Sequence, residues 1–304
     1  MRDKLYLSGF LLGAGLLLYL GRDLILQSAI LTTVLAFAGT TAVGVLGMEL
    51  YRVQLALRSS QRELALRQAE LNFALEVQQS LFPHQFPADG GLEFSAICVP
   101  ARGISGDYYD VVQLPDGRLL FAIADISGKG ISAAILMSNL QAVLRTVAEA
   151  GHSPSEVCAQ LNRHLYQVSD ATRFATFFFG EWDRKQHVLS YVNAGHPIPI
   201  LRGSARGQRL QDGGPPLGLF LATDFQVGKI TLQSGDVIVL YSDGITEAGI
   251  QEGEEFGEAR LEEIIAAHGD KPLAQIQELI LTAVRKWSGD EPEDDMTLLI
   301  ARAI

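Results

Sequence analysis

Four aspartates, spread over nearly two hundred residues, each stand where an apolar segment meets a turn. They are Asp107, Asp125, Asp243 and Asp294. A carboxylate at the buried end of a strand is unfavourable unless another group neutralises its charge. Four such groups in one place would repel one another unless cations lay between them, and magnesium and manganese prefer oxygen ligands of this kind. The pattern therefore predicts strands that converge on a metal site, and hence a metal-dependent enzyme.

The charge distribution divides the chain of 304 residues into two parts. Residues 1–82 contain seven Lys/Arg and six Asp/Glu, a balance of +1, whereas residues 83–304 contain seventeen against twenty-nine, a balance of −12. Nucleic-acid binding needs a basic surface. The acidic second part therefore argues against a nucleic-acid partner.

Two apolar segments, residues 5–20 and 24–48, open the chain. The second is long enough to cross about 30 Å of hydrocarbon. The first follows Arg2 and Lys4 and could be a signal peptide, but no small-residue cleavage site separates it from the second. We therefore expect a transmembrane hairpin over residues 1–48. The basic residues that flank it predict that both ends lie in the cytoplasm, which makes the chain a multi-pass membrane protein.

Residues 49–82 contain no glycine or proline and predict one long helix. Leucines recur every seven residues at positions 50, 57, 64 and 71, the spacing of a coiled-coil seam, although the companion seam is partly polar. A weak parallel coil in a homodimer is one interpretation, and a solvated helix packed on its own domain is the other. The predicted domains are thus a hairpin at 1–48, a linker helix at 49–83 and a catalytic domain at 84–304.

From about residue 91 the pattern mixes short apolar strands with amphipathic helices. The predicted strands are 92–99, 109–114, 119–124, 174–182, 187–194, 198–201, 236–241 and 296–302. The predicted helices are 132–150, 154–168, 256–268 and 272–287. Helices grouped in pairs between runs of strands predict an α+β fold, with antiparallel sheets and helices packed outside them.

Six motifs then follow one another in a specific order. They are Gly106-Asp107-Tyr108-Tyr109-Asp110, Ala124-Asp125-Ile126-Ser127-Gly128-Lys129-Gly130, Asn193-Ala194-Gly195-His196-Pro197, Gly214-Pro215-Pro216-Leu217-Gly218, Tyr241-Ser242-Asp243-Gly244-Ile245-Thr246-Glu247-Ala248 and Asp294-Asp295-Met296-Thr297. Together they resemble the metal-dependent serine/threonine protein phosphatases of the 2C class (PPM type), in their bacterial sporulation and stress-response (SpoIIE-like) subgroup. The resemblance covers residues 75–304.

The resemblance implies a central β-sandwich of two antiparallel sheets flanked by helix pairs, with two Mn²⁺ or Mg²⁺ ions at one edge. It implies that Asp125, Asp243 and Asp294 hold one ion, and that Asp107, Asp125 and the backbone carbonyl of Ile126 hold the other, partly through water. Two such ions activate a water molecule and bind the attacking and leaving oxygens of a displacement at phosphorus. Asp125 is then the bridging ligand, and whether Asp107 binds directly or through water stays open.

Other polar residues near these motifs have more than one interpretation. Asp110 and Asp295 are expected to support the metal ligands rather than to bind metal. His196 could be a general acid, but its place before a proline favours a structural hydrogen bond. Arg102 is a candidate for binding substrate phosphate. Lys129 is expected to face solvent.

The resemblance implies a membrane-anchored phosphatase that acts on phosphoserine or phosphothreonine. It suggests an anti-sigma-factor antagonist, in a partner-switching pathway, as the phosphorylated substrate. One alternative is a non-catalytic membrane scaffold that keeps the phosphatase fold. Another is a phosphatase of small phosphate esters.

Overall fold

The computed structural model describes residues 2–21, 29–101, 103–169, 173–249, 253–289 and 292–304. The chain divides into two compact units, Met1–Ala69 and Glu70–Ile304. The turn of the predicted transmembrane hairpin (residues 22–28) and the candidate phosphate ligand Arg102 lie outside the described residues.

The first unit is helical. Helix α1 is Arg2–Leu20, and helix α2, Ala29–Gln79, starts in this unit and runs on into the second. Large apolar side chains on both helices are exposed, among them Tyr6, Leu17 and Phe37. The helical stretch Thr32–Gln79 contains an 18-residue window that is apolar enough to cross a membrane, whereas the apolar part of α1, Tyr6–Leu20, is shorter.

The second unit contains two sheets. The strands are β1 (Leu92–Val99), β2 (Tyr108–Gln113), β3 (Leu119–Ile126), β4 (Ala175–Asp183), β5 (Val188–Ala194), β6 (Ile200–Arg202), β7 (Gly213–Gly214), β8 (Gly228–Thr231), β9 (Val237–Tyr241) and β10 (Met296–Ala303). One sheet has the order β1-β10-β9-β6, and the other has the order β2-β3-β4-β5-β7 with β8 also paired to β5. Within the described residues, the pairings are antiparallel except for the short parallel pair β5–β7.

The two sheets pack face to face, and alternate residues of the central strands point to opposite layers. In β3, Leu119, Phe121 and Ile123 lie in the core between the sheets. Leu120 and Ala122, which alternate with them, lie in a second core beneath the helices. Such alternation follows from the two-residue repeat of a strand. Strand β3 is therefore buried on both faces, as its unbroken apolar sequence requires.

A pair of helices covers each outer face. Helices α3 (Ile131–Glu149) and α4 (Pro154–Val168) pack on the sheet that contains β3. Helices α6 (Gly257–His268) and α7 (Leu273–Ser288) pack on the sheet that contains β10. Helix α3 is apolar enough to span a membrane, but nearly half of it is buried in this core, so it is a core helix.

The architecture is thus the predicted α+β sandwich with flanking helix pairs. The short strands β7 and β8 and the single-turn helix α5, Asp243–Thr246, were not predicted from the sequence. Each is four residues or fewer, which is too short for a periodic pattern. Helix α2 continues without a break to Gln79 and so includes most of the predicted linker helix, residues 49–83.

Candidate metal centre

Strand pairing brings the four aspartates together in two pairs. Asp107 precedes β2 and Asp125 lies near the end of β3, and these two points adjoin because Tyr108 pairs with Ala124. Asp243 follows β9 and Asp294 precedes β10, and these points also adjoin because Tyr241 pairs with Leu298. Each sheet therefore contributes one pair of carboxylates.

Electrostatic interactions show that the two pairs share one end of the sandwich. Burial, followed by the charges of Asp243 and Asp294, raises the pKa of Asp125 to about 7. Burial and then the charge of Asp125 raise the pKa of Asp107 well above its usual value. Burial and the charge of Asp294 also raise the pKa of Asp243. The carboxylates of both sheets thus repel one another, as expected for a site that binds cations.

Asp107 is the most buried of the four, with only 1% of its surface exposed. Its oxygen Oδ2 is buried and has no hydrogen-bond partner among the residues that the structure describes. An unpartnered carboxylate oxygen in the protein interior costs free energy. A cation bound to this oxygen would remove that cost. The preceding residue, Gly106, brings the backbone close to the other predicted oxygen donor: a Cβ at Gly106 would lie 3.0 Å from the carbonyl oxygen of Ile126.

Asp295 connects the two sheets at the site. Its Oδ1 accepts a hydrogen bond of 2.8 Å from the backbone N–H of Ala101, and its Oδ2 accepts one of 2.8 Å from that of Gly106. On the other side, Gly244 packs so closely that a Cβ there would overlap the carbonyl of Asp295. Asp295 therefore holds the loop of Asp107 against the segment that carries Asp294.

Gln78, in the last turn of α2, also holds this loop. Its Nε2 donates to the carbonyl of Ser105 at 2.6 Å, and its Oε1 accepts from the N–H of Ser105 at 3.0 Å. Ser105 Oγ in turn accepts from the N–H of Asp107 at 2.9 Å. This role could not be predicted from the sequence, because a glutamine in a polar helix carries no sign of a partner 27 residues away.

Lys129 is exposed, as expected, and it also forms an ion pair. Its Nζ lies 2.6 Å from Asp294 Oδ2, and about half of each side chain is exposed. An ion pair as exposed as this contributes little to stability. It does place a positive charge at the open side of the four carboxylates.

The carboxylate of Asp110 is bound by side chains other than those of the four aspartates. Its buried carboxylate receives two hydrogen bonds from the Arg145 guanidinium, at 2.8 and 3.0 Å, and one from the Tyr108 hydroxyl at 2.5 Å. Arg145 belongs to α3, so this ion pair fastens α3 to β2. Every contact seen for Asp110 is thus structural.

His196 is buried and is held by hydrogen bonds. Its Nδ1 lies 2.9 Å from Thr176 Oγ1, and its backbone N–H donates to Asn193 Oδ1 at 2.8 Å. Burial lowers the pKa of His196 to about 3. A histidine that stays neutral at physiological pH is a poor proton donor, so these contacts favour the structural interpretation.

The residues present suit a hard divalent cation, since they offer carboxylate oxygens and a backbone carbonyl and no sulfur. Among the described residues, no group of three Asp, Glu, His or Cys side chains is already arranged to hold one ion. A cation bound by Asp294 would compete with Lys129 for its carboxylate.

The chain is similar to known bacterial proteins. Residues 115–304 match the family model "Stage II sporulation protein E (SpoIIE)". The phosphoserine phosphatase RsbU of Bacillus subtilis is 34% identical over 256 residues, which cover 83% of this chain and 74% of RsbU. The phosphoserine phosphatase RsbP of the same organism is 26% identical, over 76% of this chain and 57% of RsbP.

Solved structures share the fold. The RsbU and RsbW domains of Rv1364c from Mycobacterium tuberculosis match 69% of this chain and 59% of theirs, at 28% identity and a TM-score of 0.61. The SiaA-PP2C domain of Pseudomonas aeruginosa matches 80% of this chain and 98% of its own, at 21% identity and a TM-score of 0.69. RsbX, solved in complex with magnesium, matches 70% of this chain and 96% of its own, at 16% identity and a TM-score of 0.53. The chain belongs to the SpoIIE family of PP2C-type serine/threonine protein phosphatases.

Proposed function

We propose that this phosphatase is a membrane-anchored enzyme that uses two Mn²⁺ or Mg²⁺ ions to hydrolyse phosphoserine or phosphothreonine in a protein. The observation that carries the proposal is the buried oxygen of Asp107, which lacks a partner among the described residues, beside Asp125, whose pKa burial and then its acidic neighbours raise to about 7. Divalent cations would neutralise both groups.

Asp125, Asp243 and Asp294 would hold one ion, and Asp107, Asp125 and the carbonyl of Ile126 the other. Two divalent ions supply an activated water and neutralise charge that develops on the phosphoryl oxygens. The chain itself fixes the ligands: Asp295 and Gln78 hold the loop of Asp107 from two sides. Metal sites depend on such supporting hydrogen bonds for ligand orientation.

The Asp125→Asn variant tests the metal assignment. Asparagine keeps the shape of the side chain but removes the charge that a bridging ligand needs. We expect the full-length variant in detergent to lose Mn²⁺-dependent hydrolysis of a phosphoserine protein by at least about a hundredfold. Asp89→Asn, at an exposed aspartate, is the matched control and should stay active. Full activity of Asp125→Asn would disprove the assignment.

The substrate we propose is a phosphorylated anti-sigma-factor antagonist in a partner-switching pathway. The relatives RsbU and RsbP are phosphoserine phosphatases, and in Rv1364c an RsbU domain occurs together with an RsbW domain. We expect kcat/KM for such a phosphoprotein to exceed that for p-nitrophenyl phosphate. The reverse order would favour the alternative of a phosphatase for small esters.

We further propose that residues 5–48 anchor the chain in the cytoplasmic membrane, with the catalytic domain in the cytoplasm. The exposed apolar surfaces of α1 and of the first part of α2 support this. The full-length chain should sediment with bacterial membranes and resist extraction by alkaline carbonate. Release by carbonate would show that these helices do not span the bilayer.

A homodimer through α2 is the last part of the proposal. Three of the four seam leucines, at positions 50, 57 and 64, are at least half exposed, and Glu63 pairs with Arg67 at 2.6 Å on the helix surface. Exposed leucines at heptad spacing suit a second copy of the same helix. Leu57→Lys should then shift the detergent-solubilised protein from dimer to monomer in sedimentation, whereas Arg58→Lys should not.

A further inference from the structure

Lys129 is a charged side chain at the metal centre that the proposed ligand set does not use. Its ammonium joins two distant parts of the chain, the glycine loop after β3 and the segment before β10, through the 2.6 Å contact with Asp294. The Lys129 and Asp294 side chains are 49% and 47% exposed, so a substrate can reach the pair from solvent. Lys129 is thus a cation on the solvent-exposed side of the site.

The charge of Lys129 acts on more than its direct partner. It lowers the pKa of Asp243 and of Glu247, against the larger effects of burial and of acidic neighbours that raise them. Lys129 therefore offsets part of the negative charge that accumulates at this end of the sandwich. A group with this field is well placed to attract an anion once the carboxylates have other counterions.

The loop around Lys129 leaves its side chain room to move. Gly128 and Gly130, on either side, have φ angles of 101° and 75°, and a Cβ at either position would meet no atom within 4 Å. Gly130 is the N-cap of the 19-residue helix α3 and offers no side chain to bond the first N–H groups of that helix. The N-terminus of a helix favours an anion. The ammonium and the helix terminus thus present positive charge from one loop.

We propose that Lys129 is a phosphate-binding residue, which Asp294 holds in the metal-free enzyme and which contacts the phosphoryl oxygens of the substrate in the loaded enzyme. The proposal rests on the proposed two-metal function. The four carboxylates together carry a charge of −4, and two divalent cations would balance it. The ammonium of Lys129 would then no longer be required to neutralise Asp294. A phosphate monoester brings a further charge of about −2 near neutral pH, and Lys129 offsets half of it.

Lys129→Met and Lys129→Arg, in the full-length chain in detergent, test this role. Titration calorimetry with Mn²⁺ alone should show about two- to fivefold tighter binding to Lys129→Met, because an exposed ion pair no longer competes for Asp294. Titration of inorganic phosphate into the Mn²⁺-loaded protein should show about tenfold weaker binding, and Lys129→Arg should recover most of it. KM for the phosphoprotein should rise more than kcat falls. Lys185→Met, at an exposed lysine, is the control.

The outcomes separate this inference from the proposed function. If the wild type binds Mn²⁺ and hydrolyses the phosphoprotein while Lys129→Met binds phosphate equally well, Lys129 has no phosphate-binding role and only the inference fails. If the wild type binds no Mn²⁺, the proposed function and the inference fail together. Tighter Mn²⁺ binding combined with weaker phosphate binding in Lys129→Met supports both.

Discussion

Replacing Gln78 by alanine should loosen the loop that carries Asp107. Gln78 is 4% exposed, and its amide satisfies both the N–H and the carbonyl of Ser105. Each buried group left unpaired costs about 1–3 kcal/mol. Because water can enter the truncated site, we expect a loss of about 2–4 kcal/mol in the free energy of unfolding, which lowers Tm by about 4–16 °C in a domain of this size.

Urea unfolding followed by tryptophan fluorescence measures this loss. The two tryptophans of the chain, Trp182 and Trp287, both lie in the phosphatase domain, so the signal reports that domain. Mn²⁺ affinity should also fall by about tenfold, equivalent to 1.4 kcal/mol of lost preorganisation. Gln79→Ala, at the adjacent exposed residue, should leave stability within about 0.5 kcal/mol of the wild type. Equal stability and Mn²⁺ affinity in Gln78→Ala and the wild type would refute the role of this contact.

Three further predictions follow from buried charges. Arg145→Ala leaves Asp110 without its guanidinium and should destabilise the domain by about 1–3 kcal/mol in urea, whereas the exposed Arg163→Ala should not. The pKa of His196 is about 3 in the folded state, below its value in the unfolded state. The stability that His196 contributes is therefore present above pH 6.5 and is lost as the pH falls. In His196→Gln the free energy of unfolding should fall less steeply as the pH is lowered. Asp125 has a folded pKa of about 7, so Mn²⁺ must displace a proton at lower pH; calorimetry should show affinity rising with pH up to about 7 and then levelling off.

The fold could be predicted from sequence because its elements are long and regularly patterned. The unbroken apolar run of β3 and the capping box at Ser153 and Glu156 before α4 each specify their element locally. The resemblance of the motifs then supplied the arrangement of the sheets. The elements that were not predicted, such as β7 and α5, are stabilised by tertiary contacts rather than by a pattern in their own sequence.

The candidate site was predictable only in part. The positions of Asp107, Asp125, Asp243 and Asp294 at strand ends follow from the apolar pattern, and antiparallel pairing then brings them together. Their supporting contacts do not follow from it: Gln78 to Ser105 and Lys129 to Asp294 join residues that are 27 and 165 positions apart. Side chains of ordinary polar residues acquire such partners only when the fold is complete.

Titration calorimetry of Mn²⁺ into the full-length chain tests the metal centre most directly. The account predicts that the wild type binds two Mn²⁺ ions per chain, that Asp125→Asn loses this binding, and that Asp89→Asn retains it. Undiminished binding of two ions by Asp125→Asn, or a wild type that hydrolyses phosphoserine without binding any Mn²⁺ or Mg²⁺, would contradict it.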